Sequence, residues 1–269
     1  MHKKLNELLD WFNDKNTVLV SLSGGVDSAL VAYAAHKKLG ENAIAVTADY
    51  KTLSKEELDS ANKIAKEIRI QHIIVNYNEL ENENFVQNNE NRCFYCRDEL
   101  SKKLLETARK FGIDQIVDGT HLDDLGDYRP GITALHENGI LSPLVEKKFT
   151  KSDIRSSAKS IGLTIYDKPS NSCLASRIPW GQRVTAQKLA RIEMGELMVK
   201  QIMDIRQVRV RDLNGVAKIE VEQGNIVLLN NKKLMEELSK KLQMIGFSSV
   251  TVDPDGYKTG KLNQLRILE

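Results

Sequence analysis

The most constraining feature of this 269-residue chain is a hexapeptide, Ser23-Gly24-Gly25-Val26-Asp27-Ser28, set between an apolar run and a helical stretch. The run at residues 17–22 is short and apolar, as a strand buried in a parallel sheet must be. Behind the hexapeptide, residues 27–39 set Leu30, Val31, Ala34 and Ala35 at helical spacing. A glycine pair between strand and helix lets backbone amides close on a phosphate without interference from Cβ atoms. The helix start adds its dipole, and Ser23 and Ser28 add hydroxyl donors. Neither the lysine of a Walker A loop nor a G-x-G-x-x-G fingerprint is present. The pattern predicts a phosphate loop of another kind, built from Ser23, Gly24, Gly25, Asp27 and Ser28.

The first 165 residues continue in the same grammar. Strands are predicted at 43–47, 73–75 and 114–118, and helices at 54–68, 94–111 and 151–161. Ser54 with Glu57 three residues on reads as a capping box, and Thr150 with Asp153 stand at the start of another helix. Strands alternating with helices imply βαβ crossovers, so this is an α/β, Rossmann-like parallel sheet. Around residues 169–179, rich in Ser and Pro, the pattern stops. A smaller α+β grammar follows: a helix at 185–203, alternating runs at 208–211 and 217–221 across Asn214-Gly215, a helix at 232–245 and a strand at 249–252. The predicted domains are 1–180, carrying the phosphate loop, and 181–269, a small α+β unit.

Charge narrows the partners. Lys plus Arg number 39 and Asp plus Glu 37, a net +2 that excludes a polybasic nucleic-acid binder. The sequence up to residue 180 carries 24 basic against 26 acidic residues, and the remainder 15 against 11, a mild excess suited to phosphorylated ligands. No apolar run reaches membrane length, and the amphipathic first residues lack a signal-peptide core, so a cytoplasmic protein is expected.

The strand at 114–118 opens onto Asp118-Gly119-Thr120-His121-Leu122-Asp123-Asp124 and then Asp127-Tyr128-Arg129-Pro130-Gly131. Ligands of open parallel sheets sit beyond the strands' carboxyl ends, which aims this acidic loop at the ligand of the phosphate loop. Asp27 and Asp124 are the Mg²⁺ candidates, with Asp123 beside them; His121 serves as a loop hydrogen-bonder as readily as a catalyst. Three cysteines cannot make a disulfide framework. Cys93 and Cys96 form a C-x-x-C at a helix start among arginines, where thiolates are favoured. Cys173 lies in the Ser/Pro loop, and no histidine stands at ligand spacing to complete a zinc site. Three thiolates without a fourth partner suit a [4Fe–4S] cluster with one iron left open.

The hexapeptide after the first strand resembles the PP-loop of the ATP pyrophosphatases, which bind ATP, release pyrophosphate and leave AMP on the acceptor they activate. That resemblance places the adenosine by Ala48 and Asp49, and the phosphates on the loop with Mg²⁺. With Asp118-Gly119-Thr120, the Asp127–Gly131 motif, Lys168-Pro169-Ser170 and Ser176-Arg177-Ile178-Pro179-Trp180-Gly181, the chain is similar over nearly its whole length to the LarE family. The resemblance implies an ATP-dependent sulfur transferase that adenylates pyridinium-3,5-biscarboxylic acid mononucleotide and converts its carboxylates to thiocarboxylates for the nickel-pincer nucleotide. Some members sacrifice a cysteine sulfur; others hold a three-cysteine [4Fe–4S] cluster. Here Ser172 aligns with the sacrificial cysteine and the thiol follows at Cys173, which puts this chain with the cluster-bearing members.

The resemblance further implies a sulfide donor, a homo-oligomer, and Cys93, Cys96 and Cys173 as both catalytic and cluster-binding residues. Gly119, Arg129, Arg177 and Arg209 join the nucleotide- and phosphate-binding set, with Arg211, Lys218 and Glu196 nearby. Two other readings were weighed: a tRNA thiolase, opposed by the near-neutral charge, and an NAD-synthetase-like amide former, which needs no cysteines.

Overall fold

The computed structural model describes residues 3–126 and 129–258, so Asp127 and Tyr128 lie outside the described residues. The described residues form two compact units, one within 3–79 and 91–171, the other within 80–90 and 172–258.

The first unit opens with α1 (Lys3–Trp11), then β1 (Val18–Ser21), α2 (Val26–Leu39), β2 (Ala43–Asp49), α3 (Lys55–Ile68) and β3 (Gln71–Asn76). After the short α4 (Glu83–Val86), which belongs to the second unit, it resumes with α5 (Arg92–Phe111), β4 (Gln115–Val117), α6 (Pro130–Glu137), α7 (Pro143–Glu146) and α8 (Lys151–Ser160). The sheet is wholly parallel in the order β3-β2-β1-β4. Its faces separate by residue parity. Val18 and Val20 pack with α1, α2, α3 and α8, whereas Leu19, Ile44 and Val46 pack with Leu100, Leu104 and Leu135 of α5 and α6. A sheet covered on both faces explains why its central strands read as continuous apolar runs. The chain builds outward from β1 to β3 on one side, then returns to place β4 on the other. The crevice at that reversal, between the ends of β1 and β4, is where open α/β sheets bind ligands.

In the second unit, α9 (Ala186–Met203), β5 (Val208–Leu213), β6 (Val216–Val221), α10 (Lys232–Met244) and β7 (Ser249–Val252) surround their own apolar core. β5 and β6 are antiparallel and β7 lies parallel to β6. Asn214 and Gly215 turn the hairpin with φ of 51° and 91°, the left-handed pair that a two-residue type I′ turn requires.

The second unit starts at Ser172 rather than 181 and claims residues 80–90 as well. Hydrogen bonds account for both shifts. Asn88 Nδ2 donates to the carbonyls of Pro179 (2.7 Å) and Gln182 (2.9 Å), and the amides of Gly181 and Val184 return bonds to Asn88 and Val86. Cys173 accordingly sits in a different unit from Cys93 and Cys96.

Candidate functional site

The loop after β1 leads into a helix start that no side chain caps. Gly25 is the N-cap of α2 and has no side chain to spend on the helix's first amides, which are left without intrahelical partners. Ser28 Oγ accepts from Ser23 N–H at 3.1 Å and lies 3.1 Å from Ser23 Oγ, closing the loop on itself. Gly24 has φ +82°, and a Cβ there would fall 2.4 Å from the Glu57 carbonyl, so both backbone conformation and close approach demand glycine.

The end of β4 presses on the same loop. A Cβ at Gly119 would stand 2.6 Å from Ser28 N. Just before it, buried Asp118 accepts from Thr120 Oγ1, from Thr120 N–H (3.2 Å) and from Ser142 Oγ (2.7 Å). Burial raises the Asp118 carboxyl above the usual range, against those bonds and the charge of Arg97. Gly119→Ala is therefore expected to push the loop out of register and weaken ATP binding at least about tenfold, by overpacking against backbone that cannot yield. Calorimetric titration with ATP checks it, and an unchanged affinity would refute the assigned fit.

Asp27 and the acidic loop meet at this crevice. Lys151, the first residue of α8, brings Nζ to 2.6 Å from both Asp27 oxygens, and its amide donates to Asp123 Oδ2 at 2.7 Å. His121 Nε2 lies 3.9 Å from Asp27 Oδ1 and 3.5 Å from Asp124 Oδ2. Arg129 Nη1 is 2.5 Å from Asp124 Oδ1. The structure thus brings Asp27, Asp124, His121 and Arg129 together, with Lys151 as a cation on the carboxylate proposed for Mg²⁺. Among the described residues no group of three His, Cys, Asp or Glu side chains is placed to hold a metal ion.

Ala48 and Asp49 end β2, with Ala48 packed in the core. Their strand is tied to the loop by Thr47, whose Oγ1 donates to the Leu22 carbonyl at 2.6 Å and stands 2.8 Å from His72 Nε2. Burial holds His72 below the usual imidazole range. With the Thr47 proton already given to Leu22, the neutral ring donates through Nε2.

Cys93 and Cys96 fall one turn apart in the first turns of α5, Cys93 exposed and Cys96 half-buried. Arg92 Nη2 donates to Cys93 Sγ at 3.7 Å. Cys96 faces Glu79, a fully buried carboxyl that also accepts from Thr52 Oγ1 at 2.6 Å. Burial pushes Glu79 up to about 7, against hydrogen bonds from Cys96 and Thr52 and the charge of Arg97. An acid whose folded pKa exceeds its unfolded 4.5 binds its proton more tightly when folded. Stability contributed there is largest at low pH, is lost between about pH 4.5 and 7, and stays level above. Urea titrations of metal-free protein across that window should show this fall in the wild type and its disappearance in Glu79→Gln. A fall that survives in the variant would assign it to another group.

In the second unit the predicted arginines turn inward. Arg177 is 1% exposed. It pairs with Glu196 through Nε (2.7 Å) and Nη2 (3.1 Å), while Nη1 donates to the carbonyls of Ser172 (2.6 Å) and Cys173 (2.9 Å). These donors are directed to Glu196 and to the backbone that carries Cys173. Arg211 is likewise bound to Glu220 (2.6 Å) and to the Ser176 carbonyl (3.1 Å). Arg209 is buried, donates to the Val208 carbonyl and lies 5.1 Å over the Tyr257 ring. Burial and the neighbouring Arg177 press it below the ordinary guanidinium value, against Glu196 and Tyr257. Lys218 pairs with Asp253 at 2.7 Å.

A family model described as queuosine biosynthesis protein QueC matches residues 17–92, from β1 into the start of α5. The chain is 40% identical over 265 residues to an uncharacterized protein of Synechocystis, covering 98% of each chain. It is 32% identical over 256 residues to pyridinium-3,5-bisthiocarboxylic acid mononucleotide synthase of Lactiplantibacillus plantarum, covering 93% of this chain and 90% of that one. The chain belongs to the LarE family. It is thereby an ATP-dependent sulfurtransferase of the PP-loop superfamily. The superfamily likeness reaches the tRNA-specific 2-thiouridylase MnmA of Desulforamulus reducens, 28% identical over 195 residues, but that match covers only 56% of this chain and 52% of the thiouridylase.

Three residues of this region make contacts that short-range pattern does not announce. Lys151 stood out only as the start of a helix, Lys168 only as part of a motif, and Glu57 only as a capping carboxylate. Local spacing assigned each a local job, whereas their partners lie 124, 144 and 111 positions away.

Proposed function

We propose that this chain transfers sulfur to the carboxylates of pyridinium-3,5-biscarboxylic acid mononucleotide, giving thiocarboxylates for a nickel-pincer nucleotide. The observation that carries the reading is the 32% identity, over nine-tenths of both chains, to the protein named for that bisthiocarboxylic product. The uncapped helix start and paired serines of the phosphate loop support the ATP half of the chemistry.

A carboxylate is a poor acceptor because oxide would have to leave. Attack by a substrate carboxylate oxygen on the α-phosphorus of ATP breaks the bond to the β-phosphate and expels pyrophosphate. A sulfur nucleophile then adds to the carbonyl carbon and AMP departs with the C–O bond. The loop amides of residues 24–28, with Ser23 and Ser28, receive the leaving phosphates. Asp27 and Asp124 offer the hard oxygen donors that suit Mg²⁺, which would neutralise charge on the pyrophosphate. Lys151, with Nζ beside the Asp27 carboxylate, is the cation placed to meet a phosphate oxygen. Arg129, at the rim beside Asp124, is placed to follow the same charge, and Ala48 and Asp49 line the adenosine side.

The thiols of Cys93 and Cys96 in the first unit and of Cys173 in the second are soft donors of the type that would ligate a [4Fe–4S] cluster. Such a cluster, if held by these cysteines, would supply an iron able to take up sulfide. Arg209 remains the second unit's candidate for the substrate phosphate. Exposed Met194 and Leu197, three residues apart on α9, support a homo-oligomer. No described helix is long and apolar enough to cross a membrane.

Exchange of labelled pyrophosphate into ATP tests the activation step. Exchange stimulated by the biscarboxylated mononucleotide and unaffected by tRNA is expected. Stimulation by tRNA alone would replace the proposed substrate.

A further inference from the structure

Four residues far apart in sequence converge beneath the phosphate loop. Lys168 Nζ donates to the Gly24 carbonyl at 3.0 Å and to Glu57 Oε2 at 2.9 Å. The other oxygen of Glu57 accepts from Asn171 Nδ2 at 3.1 Å. Ser60 Oγ makes a second bond to the Gly24 carbonyl at 2.9 Å. Glu57 is buried and the Lys168 side chain is 16% exposed, so these charge-assisted bonds are shielded from water. The carboxylate has also been withdrawn from its local use. Ser54 caps α3 by accepting from Glu57 N–H, but Glu57 turns to Lys168 and Asn171 instead of completing the reciprocal capping box that the sequence predicts. Asn171 is the last residue of the first unit, and Cys173 follows two positions later.

We propose that Lys168 is a positioning residue that couples phosphate-loop occupancy to the order of the segment leading into Cys173. This rests on the ATP reading above. Phosphate bound to the loop amides fixes the Gly24 carbonyl. A fixed carbonyl fixes the ammonium, and through Glu57 it fixes Asn171. By linkage, ordering the segment tightens ATP in return.

Hydrogen–deuterium exchange of the full chain, with and without ATP and Mg²⁺ and without the second substrate, reads this coupling directly. In the wild type, ATP should slow exchange at residues 169–175 at least about fivefold, together with the loop at 23–28. In Lys168→Met the loop should remain protected by ATP while residues 169–175 exchange equally fast with and without it. Turnover in that variant should fall about ten- to a hundredfold while the KM for ATP rises only by the linked factor of about fivefold, and Lys168→Arg should recover part of the turnover. Asn171→Ala, which leaves the Lys168–Glu57 pair intact, should lose only the protection beyond residue 171 and serves if Lys168→Met does not fold. ATP protection of residues 169–175 that persists in a folded Lys168→Met overturns the coupling. So does wild-type protection confined to residues 23–28. Protection nowhere in the wild type would instead overturn the ATP reading on which the coupling stands.

Discussion

Arg177→Met is expected to destabilise the second unit by about 3–5 kcal/mol, because it leaves the Glu196 carboxylate buried without its partner. Arg177 is 1% exposed and Glu196 is 7% exposed, so water does not reach in to compensate. The loss extends to the loop, since the same guanidinium holds the Ser172 and Cys173 carbonyls. Removing both charges together, in Arg177→Met with Glu196→Met, should recover most of the stability, as apolar replacement of a buried pair commonly does. It should not recover sulfur transfer, because the loop's anchor is still gone. Urea unfolding followed by exchange at α9 and β5 measures the first effect, and product formation the second. A single variant as stable as the wild type would mean that the pair is solvated.

Cys173→Ala should have the largest effect on chemistry. Thiocarboxylate formation is expected to fall at least about a thousandfold, since an alkyl side chain neither donates sulfur nor ligates iron. Pyrophosphate exchange should stay within about threefold of the wild type, because the phosphate loop and Asp27 belong to the other unit. Loss of both activities in parallel would place Cys173 in the activation step. A variant that still makes product would remove Cys173 from sulfur transfer altogether.

The parts legible in the sequence are those written in short-range chemistry. Asn214-Gly215 announces its hairpin because only left-handed backbone makes that turn. Thr150 and Asp153 form the reciprocal capping box, and the glycine pair at the end of β1 marks the phosphate loop. The misread parts depend on distant partners. Ser54 and Glu57 have the same local pattern as Thr150 and Asp153, yet Lys168, 111 positions away, diverts the Glu57 carboxylate. Alternation in β5 places Arg209 and Arg211 on one face of a strand, a pattern that a solvated charged face and a phosphate site satisfy equally. Glu196, Glu220 and Tyr257 bury them instead, through contacts that no local period encodes. The domain boundary moved for a similar reason, because the Asn88 side chain recruits an earlier segment into the second unit.

The central claim is tested most directly by mass spectrometry of an anaerobic reaction. It would contain the iron-loaded protein, ATP, Mg²⁺, sulfide and pyridinium-3,5-biscarboxylic acid mononucleotide, with the small molecule and the intact protein read together. Thiocarboxylated mononucleotide in excess over protein, with Cys93, Cys96 and Cys173 unchanged in mass, is the expected result. Product limited to one sulfur per chain, with a cysteine converted to dehydroalanine, would contradict the catalytic use of the thiols. Absence of thiocarboxylate while ATP is still bound would contradict the proposed substrate.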